Sequence, residues 1–205
     1  MVRVGLTGNI AVGKSFVSAR FVELGAAVID ADRVSRELME PGAPLYARVT
    51  EVFGLEILNK DGTIDRRRLG SIVFASEEKR HLLAGIAHPA IHEAIARKIA
   101  EKEKTSNLVV VDAALLIETG GYREYDRLIV VACPPALQLI RLMSRDGLAE
   151  NEAKARIAAQ MPTDEKIRLA DYVIDTSGAP ERTLEQTDVI HQKLFKLQHS
   201  SSSGT

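Results

Sequence analysis

A short segment near the amino terminus has residue types and spacing suited to binding phosphate. The pattern G-x-x-x-x-G-K-S/T is met by Gly8, Gly13, Lys14 and Ser15. It follows an apolar run and precedes the amphipathic residues 14–25. Glycines in such a loop let peptide N–H groups turn toward phosphate oxygens, and the amino terminus of the next helix adds partial positive charge. We therefore predict a nucleoside triphosphate site in which Lys14 neutralises the β- and γ-phosphates and Ser15 binds Mg²⁺.

Other interpretations of this loop explain less of the sequence. A chance match in a strand-to-helix turn is a minority alternative, because both flanking segments have the expected character. A dinucleotide-binding G-x-G-x-x-G loop is missing, since Ile10 stands at its second glycine. "NKDG" at 59–62 resembles a guanine-recognition motif, but Asp61 comes one position too early and Asp-Gly is a turn dipeptide. We interpret 59–62 as a turn.

Carboxylates end two of the apolar runs. Asp112 closes "LVVVD", where it either holds Mg²⁺, directly or through water, or is an ordinary strand-terminal or helix-capping residue. "IDAD" places Asp30 and Asp32 at the end of another run, and that edge of a parallel sheet borders the phosphate loop. One of these two carboxylates is suited to accept the proton of an alcohol nucleophile, while either of them could instead cap the helix that begins near Arg33.

Two arginines mark a segment that resembles a kinase lid. Residues 135–170 are predicted to form a helix, a turn at Asp146-Gly147 and two further helices. Arg141 and Arg145 are four positions apart and so share one face of the first helix. That face is either simply solvated or neutralises charge on a transferring phosphoryl group, and the sequence favours neither.

The order of apolar and helical patterns predicts an α/β fold of the P-loop NTPase type, with a doubly wound parallel sheet of five strands. The predicted strands cover 2–7, 26–30, 107–112, 126–133 and 171–175. The segment between the second and third strands is too long for a simple crossover and should form a helical insertion. Its predicted helices cover 33–40, 44–53, 65–73 and 77–103.

The predicted organisation is a single domain followed by a short tail. The domain covers residues 1–198, with a core at about 1–32, 107–134 and 171–198, a helical insertion at about 33–106, and a lid at about 135–170. Residues 199–205 are polar and low in complexity, and we expect a disordered tail there.

Composition favours a small-molecule partner in a reducing compartment. With 27 basic and 28 acidic residues, the net charge of -1 gives no general attraction to nucleic acid or to an anionic membrane. Aromatic residues make up only 4% and Trp is absent, which argues against a platform for stacking bases. Cys133 is the only cysteine, so we expect no disulfide, a cytoplasmic location and a small buried side chain. No export signal or membrane-spanning stretch is apparent.

Several motifs taken together resemble the dephospho-coenzyme A kinase family. They are "GLTGNIAVGKS", "VIDADRVSREL" with "EPGAP", "HPAI", "VVVDAALLIE", and "RIAAQM" followed by "ADYVIDTSG". The resemblance runs from about residue 2 to about residue 180. It implies a cytoplasmic enzyme that transfers the γ-phosphoryl group of ATP, with Mg²⁺, to the ribose 3′-hydroxyl of dephospho-coenzyme A, the last step of coenzyme A biosynthesis.

The resemblance also implies roles for particular residues. Asp32 looks like the catalytic base, Arg141 like the lid arginine, and Gly178 lies where the family holds adenine. His88 looks like part of the acceptor site within a coenzyme-binding insertion. Alone, however, a His-Pro pair is more often structural, with Pro89 at the first position of a helix. The implied ATP loop consists of Gly8, Asn9, Ile10, Ala11, Val12, Gly13, Lys14, Ser15 and Phe16.

The chain departs from the family pattern at two places. Asn9 and Ala11 stand where the family usually has glycines, so a positive φ would be harder to reach there, especially at Ala11. Ala114 replaces the usual proline after the third strand. Two alternatives stay open: a kinase for another small molecule or a nucleoside monophosphate, and a non-catalytic ATP-binding switch.

Overall fold

Five parallel strands form the centre of the fold in the computed structural model, which describes residues 1–200. The strands are β1 (Val2–Thr7), β2 (Ala27–Asp30), β3 (Leu108–Asp112), β4 (Arg127–Ala132) and β5 (Tyr172–Asp175). Their order in the sheet is β2-β3-β1-β4-β5, and every neighbouring pair is parallel. All residues of β3 are buried, as its continuous apolar sequence predicts for a strand covered on both faces. The predicted fold class is confirmed.

Helices connect these strands at nearly the predicted bounds. Within residues 1–200 they are α1 (Lys14–Glu23), α2 (Ala31–Leu38), α3 (Pro44–Phe53), α4 (Arg66–Phe74), α5 (Glu77–Lys102), α6 (Pro135–Asp146), α7 (Glu150–Ala158), α8 (Thr163–Leu169) and α9 (Pro180–Ser200). Helix α9 continues to Ser200, and residues 201–205 of the predicted tail lie outside the described part of the chain. Among the described helices, none has the length and apolar character needed to cross a bilayer.

The chain divides into two units, each with its own core. The first contains residues 1–30 and 101–200, including the sheet, and the second is Ala31–Ala100, where the sequence predicts an insertion at 33–106. The second unit packs α3, α4 and part of α5 around buried apolar side chains, among them Leu45, Val49 and Ile57. Residues 59–62 form the predicted turn there, closed by an Asn59 N–H bond to the Thr63 carbonyl of 2.8 Å.

The position of Pro89 corrects one interpretation. Pro89 lies inside the continuous helix α5, not at the start of a helix. A proline there removes one backbone hydrogen bond and crowds the carbonyl four residues earlier, at Gly85. Gly85 and Pro89 are both exposed, so water can solvate that carbonyl. The helix continues because buried side chains on both sides of the proline, such as Ile86 and Ala94, hold it in place.

Helices α1 and α9 cover the same side of the sheet in the first unit. Phe21 of α1 and Leu194 of α9 are fully buried in the main apolar cluster. Arg20 joins the two helices through two hydrogen bonds of 2.7 Å to the Asp188 carboxylate, a geometry that favours the charged form of the acid. These bonds lower the pKa of Asp188. The helix that follows the phosphate loop is therefore fixed by both packing and charge.

Two valines of α1 provide a matched test of this packing. Val17 is fully buried, whereas 57% of Val22 is exposed. We expect Val17→Ala to lower the free energy of unfolding by about 2 kcal/mol, because it removes buried carbon and leaves a cavity. Val22→Ala should change it by less than about 0.5 kcal/mol. Urea unfolding followed by circular dichroism measures both, and equal losses would contradict this account of the core.

Candidate active site

The two glycines of the phosphate loop are required for different reasons. A Cβ on Gly8 would lie 2.6 Å from the Val131 carbonyl oxygen, closer than real Cβ contacts come. Gly13 has a φ of 90°, a left-handed conformation that side chains disfavour, and it directly precedes α1 at Lys14. The loop therefore leads straight into a helix amino terminus, where N–H groups and the helix dipole favour anions.

Ala11, which stands where the family usually has a glycine, adopts the left-handed conformation that alanine disfavours. Its φ is 61°, the only positive φ of a non-glycine residue in the part of the chain described here. The left-handed region costs an L-residue of order 1 kcal/mol, so surrounding contacts must hold the loop in this shape. The departure from glycine therefore leaves the loop formed and adds strain to it.

The peptide groups of Ile10 are held from outside the loop. The Ile10 N–H donates to Gln160 Oε1 at 2.7 Å, and Gln138 Nε2 donates to the Ile10 carbonyl at 2.9 Å. Gln138 lies on α6 and is buried, whereas Gln160 lies between α7 and α8. Two side chains of the predicted lid thus fix one residue of the phosphate loop.

Asn9 adds a third connection to the same region. Its Nδ2 donates to the Met161 carbonyl at 3.0 Å and to Thr163 Oγ1 at 3.1 Å. Asn9 is buried, and its Oδ1 has no hydrogen-bond partner. A glycine here would lose both bonds, so the second departure from the family pattern replaces backbone freedom with a side-chain connection.

Asp112 brings together the phosphate loop and the end of β3. Its two carboxylate oxygens accept hydrogen bonds from Lys14 Nζ and Ser18 Oγ. Ser18 lies one helical turn after Lys14, so both reach the same carboxylate from one face of α1. The residues after Asp112 form turns, and the helix-capping alternative is therefore wrong. In the parallel pairing of β2 with β3, Asp30 lies directly beside Asp112.

These oxygen groups fit a magnesium ion that is shared with a nucleotide. Mg²⁺ prefers oxygen ligands, keeps several waters and usually binds one or two protein groups together with phosphates. Ser15 is an exposed residue in the first turn of α1, and the Asp112 carboxylate lies at the adjoining strand end. Among the side chains that the structure describes, no group of three or more His, Cys, Asp or Glu is arranged to hold a metal by itself. The donor set therefore suits a cation held partly by bound phosphates.

Arg141 is connected to the phosphate loop by hydrogen bonds through Thr176. Its guanidinium donates to Thr176 Oγ1 at 2.9 Å and to the Thr176 carbonyl at 2.7 Å. Thr176 Oγ1 in turn donates to the Val12 carbonyl at 2.6 Å.

Burial raises the pKa of the nearby Cys133 thiol, while the Arg141 charge opposes that rise. Cys133 is thus a buried neutral thiol in the apolar core, as predicted.

Arg145 has different partners, although it shares a helix face with Arg141 in the sequence pattern. It forms an ion pair with Asp146 at 2.7 Å, and Arg156 of α7 reaches the same carboxylate at 3.3 Å. Both arginines of this cluster are largely exposed, and the pairing lowers the pKa of Asp146. Of the two candidates, only Arg141 contacts a residue that bonds to the phosphate loop.

The remaining predicted residues lie in different places. Gly178 is exposed in the turn between β5 and α9, two residues after Thr176. Asp32 and His88 both belong to the second unit and are exposed, Asp32 in the first turn of α2 and His88 on α5. Helix α2 begins at Ala31, earlier than predicted, which places Asp32 inside the helix and Asp30 immediately before it.

Sequence reasoning missed several polar side chains that shape this site. Ser18 could have been found from its i+4 spacing to Lys14. Gln138 could have been found as a polar residue on the buried face of α6, four positions before the buried Leu142. Thr176 and Gln160 carry no comparable local signal, because their partners lie far away in the sequence.

Comparison with solved structures defines the class of protein. Shikimate kinase from Acinetobacter baumannii shares the fold with a TM-score of 0.52 at 18% identity, over 96% of this chain and 94% of that chain. The crystal structure of TT1252 from Thermus thermophilus gives a TM-score of 0.83 at 30% identity, over 96% and 97%. Together with the phosphate loop, this fold is that of the P-loop NTPases.

Sequence comparison identifies the family within that class. The sequence model for dephospho-CoA kinase matches residues 2–181. The dephospho-CoA kinase of Carboxydothermus hydrogenoformans is 49% identical over 193 residues, covering 93% of each chain. That of Campylobacter jejuni superimposes with a TM-score of 0.71 at 30% identity, over 95% of this chain and 97% of that chain. The chain belongs to the dephospho-CoA kinase family and is an ATP-dependent phosphotransferase.

Thr176 offers a test of the connection between Arg141 and the loop. Thr176→Val keeps the side-chain shape but leaves the Val12 carbonyl and one Arg141 N–H without their partner. We expect the free energy of unfolding to fall by about 1–3 kcal/mol and ATP affinity to fall with it. Thr176→Ser, which keeps the hydroxyl, should lose only about 1 kcal/mol. Urea unfolding and calorimetric ATP titration measure both, and equal ATP affinity in the two variants would contradict the connection.

Proposed function

We propose that this protein transfers the γ-phosphoryl group of ATP to the ribose 3′-hydroxyl of dephospho-coenzyme A. The observation that carries the proposal is the family match over residues 2–181, in a chain whose phosphate loop is fully formed. The reaction would complete coenzyme A, and we expect it to take place in the cytoplasm. The following assignments of residues belong to the same proposal.

The loop from Gly8 to Phe16 binds the phosphates of ATP. Its peptide N–H groups and the amino terminus of α1 supply the electrostatic attraction, and Lys14 adds a full positive charge beside Asp112. Ser15 and Asp112 would hold Mg²⁺, which, when bound, draws charge from the β- and γ-phosphates. Gly178, in the exposed turn after β5, would border the adenine.

Asp32 is the proposed base for the acceptor hydroxyl. Phosphoryl transfer needs an aligned oxygen nucleophile, and a carboxylate that accepts its proton makes the attack productive. Asp32 is exposed and therefore accessible to a substrate. Along the chain it follows Asp30, the residue beside Asp112 in the sheet, by only two positions. His88 is proposed to contact the acceptor, and its exposure on α5 supports this role.

Arg141 is proposed to neutralise charge on the transferring phosphoryl group. It already bonds to Thr176, which bonds to the loop. Closure of the lid would exclude water and so prevent hydrolysis of ATP. The contacts of Gln138 and of residues 160–163 with the loop keep these parts of the lid in place, so we infer that closure moves mainly α7 and the turn before it.

A direct assay tests the reaction. Wild-type protein with Mg²⁺ and ATP should convert dephospho-coenzyme A into coenzyme A, with one ADP for each product molecule, as read by mass spectrometry. Lys14→Ala should lower kcat by about a hundredfold or more, because a positive charge at the phosphates is lost. The matched control Lys154→Ala removes an exposed lysine of α7 and should keep full activity.

Three outcomes would contradict parts of this proposal. Transfer by Lys14→Ala at the wild-type rate would rule out the loop assignment. ADP without coenzyme A would indicate another acceptor, and a panel of nucleoside monophosphates and small alcohols would then identify it. ATP binding without any transfer would favour the non-catalytic switch.

Two aspartates allow a sharp test of the base. Asp32→Asn should lower kcat by about 10²–10⁴-fold, because the amide cannot accept the hydroxyl proton, while the ATP dissociation constant stays near its wild-type value. Asp30→Asn is the comparison, since it changes the neighbouring carboxylate in the same motif. Single-turnover rates and equilibrium ATP titration separate the two effects. A larger rate loss in Asp30→Asn than in Asp32→Asn would transfer the base role to Asp30.

A further inference from the structure

Lys166 is a fully buried lysine close to the residues that hold the phosphate loop. Its side chain has 0% exposure, and its Nζ lies 2.8 Å from Glu118 Oε1. Lys166 Nζ also donates to the Ala114 carbonyl at 3.2 Å. A buried ammonium is unfavourable unless it is paired and hydrogen-bonded. The charge is therefore tied to the turn that follows β3 and Asp112.

Glu118 connects this buried charge to the polypeptide that contacts the loop. The same oxygen, Oε1, accepts a hydrogen bond from the Met161 N–H at 3.3 Å. On the other side of Met161, its carbonyl accepts from Asn9 Nδ2 at 3.0 Å. The residue before it, Gln160, accepts from the Ile10 N–H. A continuous set of polar contacts thus runs from Lys166 through Glu118 and residues 160–161 to the phosphate loop.

The ion pair between Lys166 and Glu118 positions a peptide group more than it stabilises the fold. The sequence neighbours of the pair, Ile117 beside Glu118 and Ile167 beside Lys166, belong to one apolar cluster that also includes Met161. Lys166 is fully buried, whereas the Glu118 side chain keeps 22% exposure. An ion pair that is largely removed from water generally stabilises a fold no better than apolar side chains of the same volume. An ion pair can, however, hold a particular peptide group in a fixed position. Here Glu118 holds the peptide group whose N–H belongs to Met161.

The phosphate loop needs such a support because Ala11 is strained. A left-handed alanine persists only where the neighbouring structure over-determines it. Asn9 and Ile10, the two residues before Ala11, are both bonded to residues 160–163. If residues 160–163 shifted, Ala11 could relax to negative φ, and the loop N–H groups would no longer point toward one phosphate.

We propose that Lys166 and Glu118 are positioning residues for ATP: they hold residues 160–163, and these hold the phosphate loop in its binding shape. The inference rests on the proposed ATP site but not on the identity of the acceptor. Neither residue touches ATP, and the effect passes through Met161, Gln160 and Asn9.

The test replaces Lys166 with an uncharged side chain of similar length in the full chain. Lys166→Met should raise the dissociation constant of a non-hydrolysable ATP analogue with Mg²⁺, and KM for ATP, by about tenfold, since small displacements of a binding loop are costly. KM for dephospho-coenzyme A should stay within about twofold of wild type. Lys166→Arg should restore part of the ATP affinity. The control Lys154→Met removes an exposed lysine paired with Glu150 and should change none of these values.

A second pair of variants tests the route of the effect. Gln160→Leu removes the acceptor for the Ile10 N–H and should also weaken ATP binding. If Lys166 acts through residues 160–161, Gln160→Leu should add little to the loss already caused by Lys166→Met, because coupled residues are not additive. Fully additive losses would overturn the proposed route. If Lys166→Met does not fold, Glu118→Gln and Gln160→Leu carry the test, and unchanged ATP affinity in both would overturn the proposal.

The outcomes separate this inference from the proposed function. Folded Lys166→Met with wild-type ATP affinity, or with KM values for ATP and acceptor raised equally, would overturn the positioning role. A wild type that binds ATP but does not phosphorylate dephospho-coenzyme A would overturn only the proposed function. A wild type that does not bind ATP would overturn both.

Discussion

A phosphate loop must keep its peptide N–H groups turned toward one point, and several long-range polar contacts of the first unit serve that constraint. The required backbone shape includes left-handed conformations at Ala11 and Gly13. Glycine adopts such a conformation at little cost, but alanine needs support from its surroundings. That support comes from the loop's neighbours: Asn9 and Ile10 bond to residues 160–163, and Val12 bonds to Thr176. The polar contacts around the loop therefore hold it in a conformation that is strained at Ala11.

The parallel sheet supplies the second half of the site. Its strands end at one edge, so β1 leads into the loop while β3 ends at Asp112. Burial makes the Lys14–Asp112 contact stronger than a surface ion pair, and Ser18 satisfies the second carboxylate oxygen. Lys14 is thus held at the start of α1 in an ordered position. An ordered cation costs less reorganisation when a triphosphate binds, which is the general basis of electrostatic catalysis.

The two units of the chain carry different groups of candidate site residues. The first carries the phosphate loop, Asp112 and Arg141, all tied together by hydrogen bonds, whereas the second carries Asp32 and His88 as exposed side chains. The predicted lid also differs from a freely hinged element. Gln138 of α6 and Thr163 at the start of α8 both bond to the loop, so the position of these two helices and the shape of the loop are physically coupled.

The sequence by itself determined the strands, the phosphate loop and the family, because these depend on apolar periodicity and on residues close together in the chain. The bounds of α2 and the place of Pro89 differed, since packing of neighbouring side chains overrides local helix signals. Only the tertiary structure decided what supports the loop. Asn9 and Met161 are 152 positions apart, and Lys166 meets Glu118 only after the chain has passed through β4, α6 and α7. No local pattern encodes such contacts, because they depend on where the folded chain returns.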